Sequence, residues 1–196
     1  MTPLLRRLAF RFGRRNRRRK AEFAIAFGRS KRVRTVLLVG VSGVRNPVNN
    51  LVENALAEHF DNVVASGIDQ MADGWEQYVA ADGCRLPFAD GAYDLVYSNA
   101  VIEHVGNGDR QQHFIDEVAR VGHHWIVTTP NRWFPVEAHH HTLFTHWRSD
   151  WAPRGTVTRL LGRRDPKSLA PGARVRGGTL FVPTLTVVGS RATSID

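Results

Sequence analysis

Cysteine is almost missing from this 196-residue chain: Cys84 stands alone, so no intrachain disulfide can form and a reducing compartment is expected. Apolar runs are short, none approaching the roughly 20 residues that a membrane-spanning helix needs. Arginines interrupt every apolar stretch after Arg6 and Arg7, which excludes the hydrophobic region of a secretory leader. Serine and threonine are nearly absent from residues 1–29, which argues against a mitochondrial-type transit peptide. Cytoplasmic is therefore the expected localisation. Lysine is scarce as well, and none of Lys20, Lys31 and Lys167 completes a Tyr-x-x-x-Lys pair. That absence removes the commonest catalytic arrangement of a nicotinamide-dependent oxidoreductase.

What is present is unevenly placed. Acid is nearly lacking from residues 1–34, where Glu22 opposes 13 basic residues; that segment carries +12 and the remainder −3. The overall +9 belongs to the N-terminus. With 42% hydrophobic and 23% charged residues, the rest has globular composition and enough length to bury a core. The expected division is a basic tail over 1–34 and one domain over 35–196.

The domain reads as strands alternating with helices. Thr35–Gly40 is a continuous apolar run ending in glycine, as a buried parallel strand does. Asn46-Pro47 opens a helix expected over 47–60, with Val48, Leu51, Val52, Ala55, Leu56 and Phe60 on one face. Residues 62–69, 78–82 and 92–99 read as further strands, a helix is expected from about Asp109, and a fifth strand over 125–130. Segments 173–181 and 184–189 suit a final antiparallel pair. The pattern predicts an α/β fold: a Rossmann-like, doubly wound, mostly parallel sheet with a C-terminal antiparallel strand pair. Ligands bind such sheets beyond the carboxyl ends of the strands, where strand order reverses.

The residues at those ends are the candidates for chemistry. Gly40, Ser42 and Gly43 come after the first strand, where small residues let the backbone approach a ligand. Asp69 ends the second strand, placed to accept from both hydroxyls of a ribose, or else to cap the next segment. Asp82 ends the third, before Gly83, and suits a base amino group or a plain turn. Together they point to a nucleoside lying across three strands.

The stretch DGCRLPFADGAYDLVYSNAVIEHV (82–105) resembles the pattern D-x-x-x-LPF-x-D-x-x-(F/Y)-D-x-V-x-S-x-x-(V/A)-x-E-H of class I S-adenosylmethionine-dependent methyltransferases, the family that includes ubiquinone and menaquinone methyltransferases. Arg120-Val121 and the VTTPN run also resemble that family, and the likeness covers about 33–147. It implies the class I methyltransferase fold, S-adenosyl-L-methionine as cofactor, and roles for particular residues. By the resemblance, Gly40 and its turn serve the methionine part, Asp69 the ribose, Asp82 and Gly83 the adenine, while Ser98, Asn99 and Ala100 line the pocket. The chain departs from the family at D-x-G-x-G-x-G, where Leu38, Gly40, Ser42 and Val44 stand, so the acid and two glycines are missing. Gly43 would supply the freedom if the loop is shifted by one residue.

A methyl sulfonium is already electrophilic, so such a protein mainly holds the acceptor in line, with a base near neutral pKa as a further aid. His104 and His139 are the candidate catalytic residues, the first after the fourth strand and the second in the HHH run of the loop after the fifth. Arg132, Trp133 and Phe134 would form an aromatic acceptor wall. No metal is assigned. The expected activity is methyl transfer to an O or C atom of a small-molecule or lipid-linked acceptor. A non-catalytic nucleoside-binding relative acting as an interaction module is the alternative, and a nicotinamide-dependent oxidoreductase stands behind it. Residues 4–20 set Leu4, Leu5, Leu8 and Phe12 on one helical side among arginines. Such a basic amphipathic segment suits an anionic membrane surface ahead of nucleic acid. Its removal is expected to cost the sheet no strand.

Overall fold

The computed structural model describes residues 3–136, 144–147 and 159–191, with the side chains of 3–10 and 145 left aside. The domain is one seven-stranded sheet in the order β3-β2-β1-β4-β5-β7-β6. Its strands are β1 (Thr35–Val39), β2 (Asn62–Gly67), β3 (Tyr78–Ala80), β4 (Tyr93–Asn99), β5 (Gly122–Pro130), β6 (Arg174–Arg176) and β7 (Thr184–Ser190). The first five are parallel, and β7 runs antiparallel to both β5 and β6. This is the Rossmann-like, mostly parallel sheet expected from the alternation of strands and helices, with its antiparallel C-terminal pair. The chain winds outward through β2 and β3, then returns to place β4 beside β1, so strand order reverses there.

Each buried strand serves two cores. Along β1, Val36 and Leu38 face one side while Leu37 and Val39 face the other, the period of two that a covered parallel strand requires. On the second side lies α3 (Gly108–Val121), whose buried Gln111, Phe114, Ile115, Val118 and Val121 recur at helical spacing. Asn107 starts it by accepting from the Arg110 N–H at 3.1 Å, and Arg120 sits in its last turn. The short α4 (Asp165–Leu169) adds Leu169 to the same cluster.

The first side is covered by α1 (Pro3–Ser30) and α2 (Leu51–Ala57). The helix expected over 47–60 is shorter because Asn46 caps a turn instead. Its Oδ1 accepts from Val48 N and Asn49 N, and Asn50 leaves helical geometry at φ −94°, ψ 37°.

The basic segment is one continuous helix, and its second half is packed. Ala21 and Ala24 are buried against Val36, Leu38 and Leu56, with Phe23 and Phe27 alongside. Midway along the helix Asn16 donates to Thr184 Oγ1 at 2.9 Å. Removing residues 1–34 would therefore cost no strand but would strip apolar cover from β1 and α2. No described helix is long and apolar enough to cross a membrane.

An aspartate at position 24 would bury a charge without a partner, because the Ala24 site is fully enclosed. We predict that Ala24→Asp lowers stability by about 3 kcal/mol or more, whereas Arg18→Asp on the exposed face changes it by about 0.5 kcal/mol or less. Urea denaturation of both variants checks this; equal midpoints would show that α1 is not part of the core.

Candidate functional site

The carboxyl ends of β1, β2, β3 and β4 bring most of the expected residues together. Gly40 ends β1 in the left-handed region at φ +79°, and any Cβ there would collide with the Val101 side chain. Only glycine suits that position. The backbone N–H groups of Gly40 and Val41 both donate to Ser66 O, which draws the turn over the end of β2.

Three residues on, the Gly43 N–H donates to Asp69 Oδ2 at 2.7 Å. A side chain at Gly43 would strike Met71 O, so the close approach of two loops falls on this glycine. Gly43 O accepts from Asp73 N, Arg45 N donates to Asp73 O, and Trp75 Nε1 donates to Ser42 O. The segment 69–75 thus lies against the glycine turn. Val44 takes part through its backbone and leaves its side chain 60% exposed, so it does not crowd the turn. Leu38, at the position of the family's acid, is wholly buried between β1 and α1. An acid placed there would sit in the apolar core.

Asp82 accepts from the Cys84 N–H at 2.9 Å through one oxygen and pairs with Arg110 Nη2 at 2.7 Å through the other. Burial alone would raise this carboxyl, but the Cys84 N–H and the Arg110 guanidinium hold it below the usual range. A Cβ on the adjacent Gly83 would meet the Phe114 ring at 2.6 Å, so the turn packs directly on α3.

At the end of β4 the three predicted lining residues separate. Ser98 is buried and spends its hydroxyl on Val39 O at 3.0 Å, a tie between strands. Ala100 takes φ +57°, a conformation that costs an L-residue roughly 1–2 kcal/mol, and donates its N–H to Thr128 O. Asn99 is the centre of a polar cluster that the sequence did not disclose. Its Oδ1 accepts from Lys20 Nζ at 3.0 Å and from Thr128 Oγ1 at 2.8 Å, and its Nδ2 donates to Glu53 Oε1 at 2.9 Å. Burial pushes the Lys20 ammonium down to about 8, against the opposing pull of Glu103 and Glu53. Burial likewise raises the Glu53 carboxyl. The available signals were faint: Lys20 precedes the buried Ala24 by one helical turn, and Glu53 lies one turn before the buried Leu56.

His104 is partly exposed, with Nε2 3.9 Å from the Oε1 of fully buried Glu103, whose other oxygen accepts from Thr129 Oγ1 at 2.9 Å. His139 lies outside the described residues, as do His140 and His141. The aromatic loop is present in part. Phe134 stacks on Phe12 of α1 with ring centroids 6.2 Å apart, and Trp133 and Phe144 both contact Trp147.

The donor set fits a nucleoside. Asp69 is exposed and uses only Oδ2, leaving Oδ1 for a ligand hydroxyl, and the Asp82 oxygens retain unused lone pairs.

Comparison with known proteins agrees with this fold. Residues 47–124 match a family model described as a methyltransferase domain. The chain is similar in fold to an S-adenosylmethionine-dependent methyltransferase from Clostridium acetobutylicum, at 10% identity and TM-score 0.62, covering 87% of this chain and 90% of that one. It is also similar to magnesium protoporphyrin IX methyltransferase from Synechocystis, solved with bound SAH, at 14% identity and TM-score 0.61 over 91% and 85% of the two chains. A third likeness, to the methyltransferase domain of bacterial CtHen1, has 16% identity and TM-score 0.60 over 87% and 97%. No curated protein matches the sequence.

The Asp82–Arg110 pair sets a testable titration. The folded carboxyl lies below its ordinary 3.8, so its contribution to stability is present above that pH and is lost as pH falls through the lower folded value. Arg110→Gln should move the Asp82 titration upward, read by carboxyl carbon chemical shifts against pH. An unmoved midpoint would show that Arg110 does not hold Asp82.

Proposed function

We propose that the chain, whose residues 47–124 match a methyltransferase-domain model, is a class I, S-adenosylmethionine-dependent methyltransferase that transfers a methyl group to an oxygen or carbon atom of a small-molecule or lipid-linked acceptor. The observation that carries this reading is the pair Asp69 and Asp82, at the ends of adjacent parallel strands beside the Gly40 turn.

In this reading Asp69 holds the ribose hydroxyls, Asp82 and the backbone after it hold the adenine edge, and the turn from Gly40 to Gly43 takes the methionine end. When bound, S-adenosylmethionine supplies an activated methyl group that needs no metal and no covalent enzyme intermediate. The chain's own task is placement. Asn99, fixed by Lys20, Thr128 and Glu53, gives the end of β4 one orientation against the acceptor. His104, steadied beside Glu103, is the group proposed to accept the acceptor's proton, and His139 is retained as the second candidate base. Leu38 supplies no acid, so buried Glu53, already tied to Asn99, is the carboxylate proposed to face the methionine amine.

The basic first half of α1 meets the loop after β5 through Phe12 and Phe134. Arg11, Arg14, Arg15 and Arg18 are exposed, and Phe12 is half exposed beside Phe134. These features support an anionic membrane surface as partner, ahead of nucleic acid, and a cytoplasmic protein that associates with that surface.

Calorimetric titration with S-adenosylhomocysteine is the decisive measurement, with NADH as contrast. Saturable binding of the first and none of the second is expected. Asp69→Ala should weaken it about tenfold, the loss of a partner for polar ligand groups. Unchanged affinity in the folded variant would overturn the placement. Binding without turnover across an acceptor panel would favour the nucleoside-binding module.

A further inference from the structure

A cavity of about 300 Å³ opens between α1 and the sheet, apart from the glycine turn and the two acids. Its floor is Tyr97 and Ile126, its far wall Thr184 and Thr186 of β7, and its near wall Phe23 of α1. Three cations line it: Arg19 and Lys20 from α1, and Arg176 from β6. Among the described residues no carboxylate lines it, and none pairs with Arg19 or Arg176.

The floor adds a polar group. Tyr97 is 1% exposed, and its hydroxyl lies beside that of Thr128, also on the cavity wall, which donates to Asn99 Oδ1. A bound acceptor atom would give the Tyr97 hydroxyl a charged partner in place of a neutral one.

The walls are also set firmly. Asn16 ties α1 to Thr184 of β7 at 2.9 Å, and the Arg176 guanidinium lies over the Phe23 ring, 4.6 Å from its centre. Gly177 takes φ +81°, where a side chain would strike Thr184 O, so β6 and β7 close tightly at the rim. The acids nearest in charge, Glu53 and Glu103, act on Lys20 from elsewhere: Asn99 stands between Lys20 and Glu53, and Glu103 is held by Thr129. Burial lowers the Lys20 ammonium, a penalty that a bound anion would also relieve.

We propose that this groove binds the oxyanion of a small organic acid, a carboxylate or a phosphate on an apolar body, with Arg19, Lys20 and Arg176 on the anion and Tyr97 donating to it. The volume is at the lower end for small-molecule sites, and Phe23, Ile126 and Val182 offer apolar surface to the body of the ligand. Because Lys20 and Thr128 reach from this groove to Asn99, the bound acid lies against the end of β4. Resting on the methyltransferase reading, this names the acceptor class: an anionic small molecule.

The test uses the full chain and three probes that share a ring: benzoate, phenyl phosphate and neutral benzamide, each titrated calorimetrically. Saturable binding of at least one anion, with benzamide about tenfold weaker or worse, is expected from charge-assisted contacts. The two anions distinguish a carboxylate site from a phosphate site. Arg176→Gln and Tyr97→Phe should each weaken the bound anion about fivefold. Both should keep the wild-type circular dichroism and the wild-type affinity for S-adenosylhomocysteine. Benzamide binding as tightly as the anions, no saturable binding of either anion, or unchanged anion affinity in Arg176→Gln would overturn the proposal. Anion binding without S-adenosylhomocysteine binding would instead overturn the methyltransferase reading and leave the groove standing.

Discussion

Asn99 is where the fold and its working edge are joined. One amide accepts from α1 through Lys20 and from β5 through Thr128, and donates to α2 through Glu53. Every one of these groups is polar in a region where the sheet is otherwise apolar, so each depends on the others to be satisfied. Removing the amide would leave a lysine, a threonine and a buried carboxylate without their shared partner. The end of β4 and the Lys20 and Thr128 wall of the basic groove meet at this one residue, beside the Ala21 and Ala24 packing that seats α1.

A second clamp explains why the 82–105 stretch is so recognisable. Arg120 donates to Leu86 O at 3.0 Å and to Phe88 O at 2.8 Å, and pairs with Glu117 and Asp90. Glu117 in turn accepts from Leu86 N. The LPF run is thus bound along its backbone to the last turn of α3. Asp94 accepts from the N–H groups of Arg34 and Thr35, which fixes where β1 begins. Burial alone would raise its carboxyl, yet those donors hold it down. Much of the signature is therefore scaffold, and only its two ends, Asp82 and the residues after Tyr97, reach the binding edge.

That division accounts for how much of the molecule was legible in the sequence. Strand periods, the switch in hydrophobic spacing at α3 and the acids at strand ends are local patterns, and they placed the sheet and both Asp69 and Asp82. The cluster of Lys20, Glu53, Asn99 and Thr128 joins residues up to 108 positions apart, and no local spacing encodes it. The arginine-rich segment misled for a related reason. Its charges dominate the composition, whereas its packing rests on Ala21 and Ala24, small residues whose burial shows only when the opposing helix and strand are in place.

The two loops at the glycine turn impose the remaining constraint on any ligand. Asp69 already answers the Gly43 N–H, and Asp73 answers both Gly43 and Arg45 through the backbone. A ribose engaging Asp69 must therefore use the free oxygen or displace a 2.7 Å bond, while 69–75 keeps its place through Trp75 on Ser42 O and Arg45 over the Trp75 ring. In the family pattern the acid before the turn shares the task of holding the ligand's polar end, but here Leu38 spends that position on the core. In the proposed reading the holding groups shift to one side, toward Glu53 and Asn99, whose supports come from α1 and α2. Ligand binding and the seating of the N-terminal helix would then draw on the same polar groups, which would link the basic segment to the chemistry rather than to the surface alone.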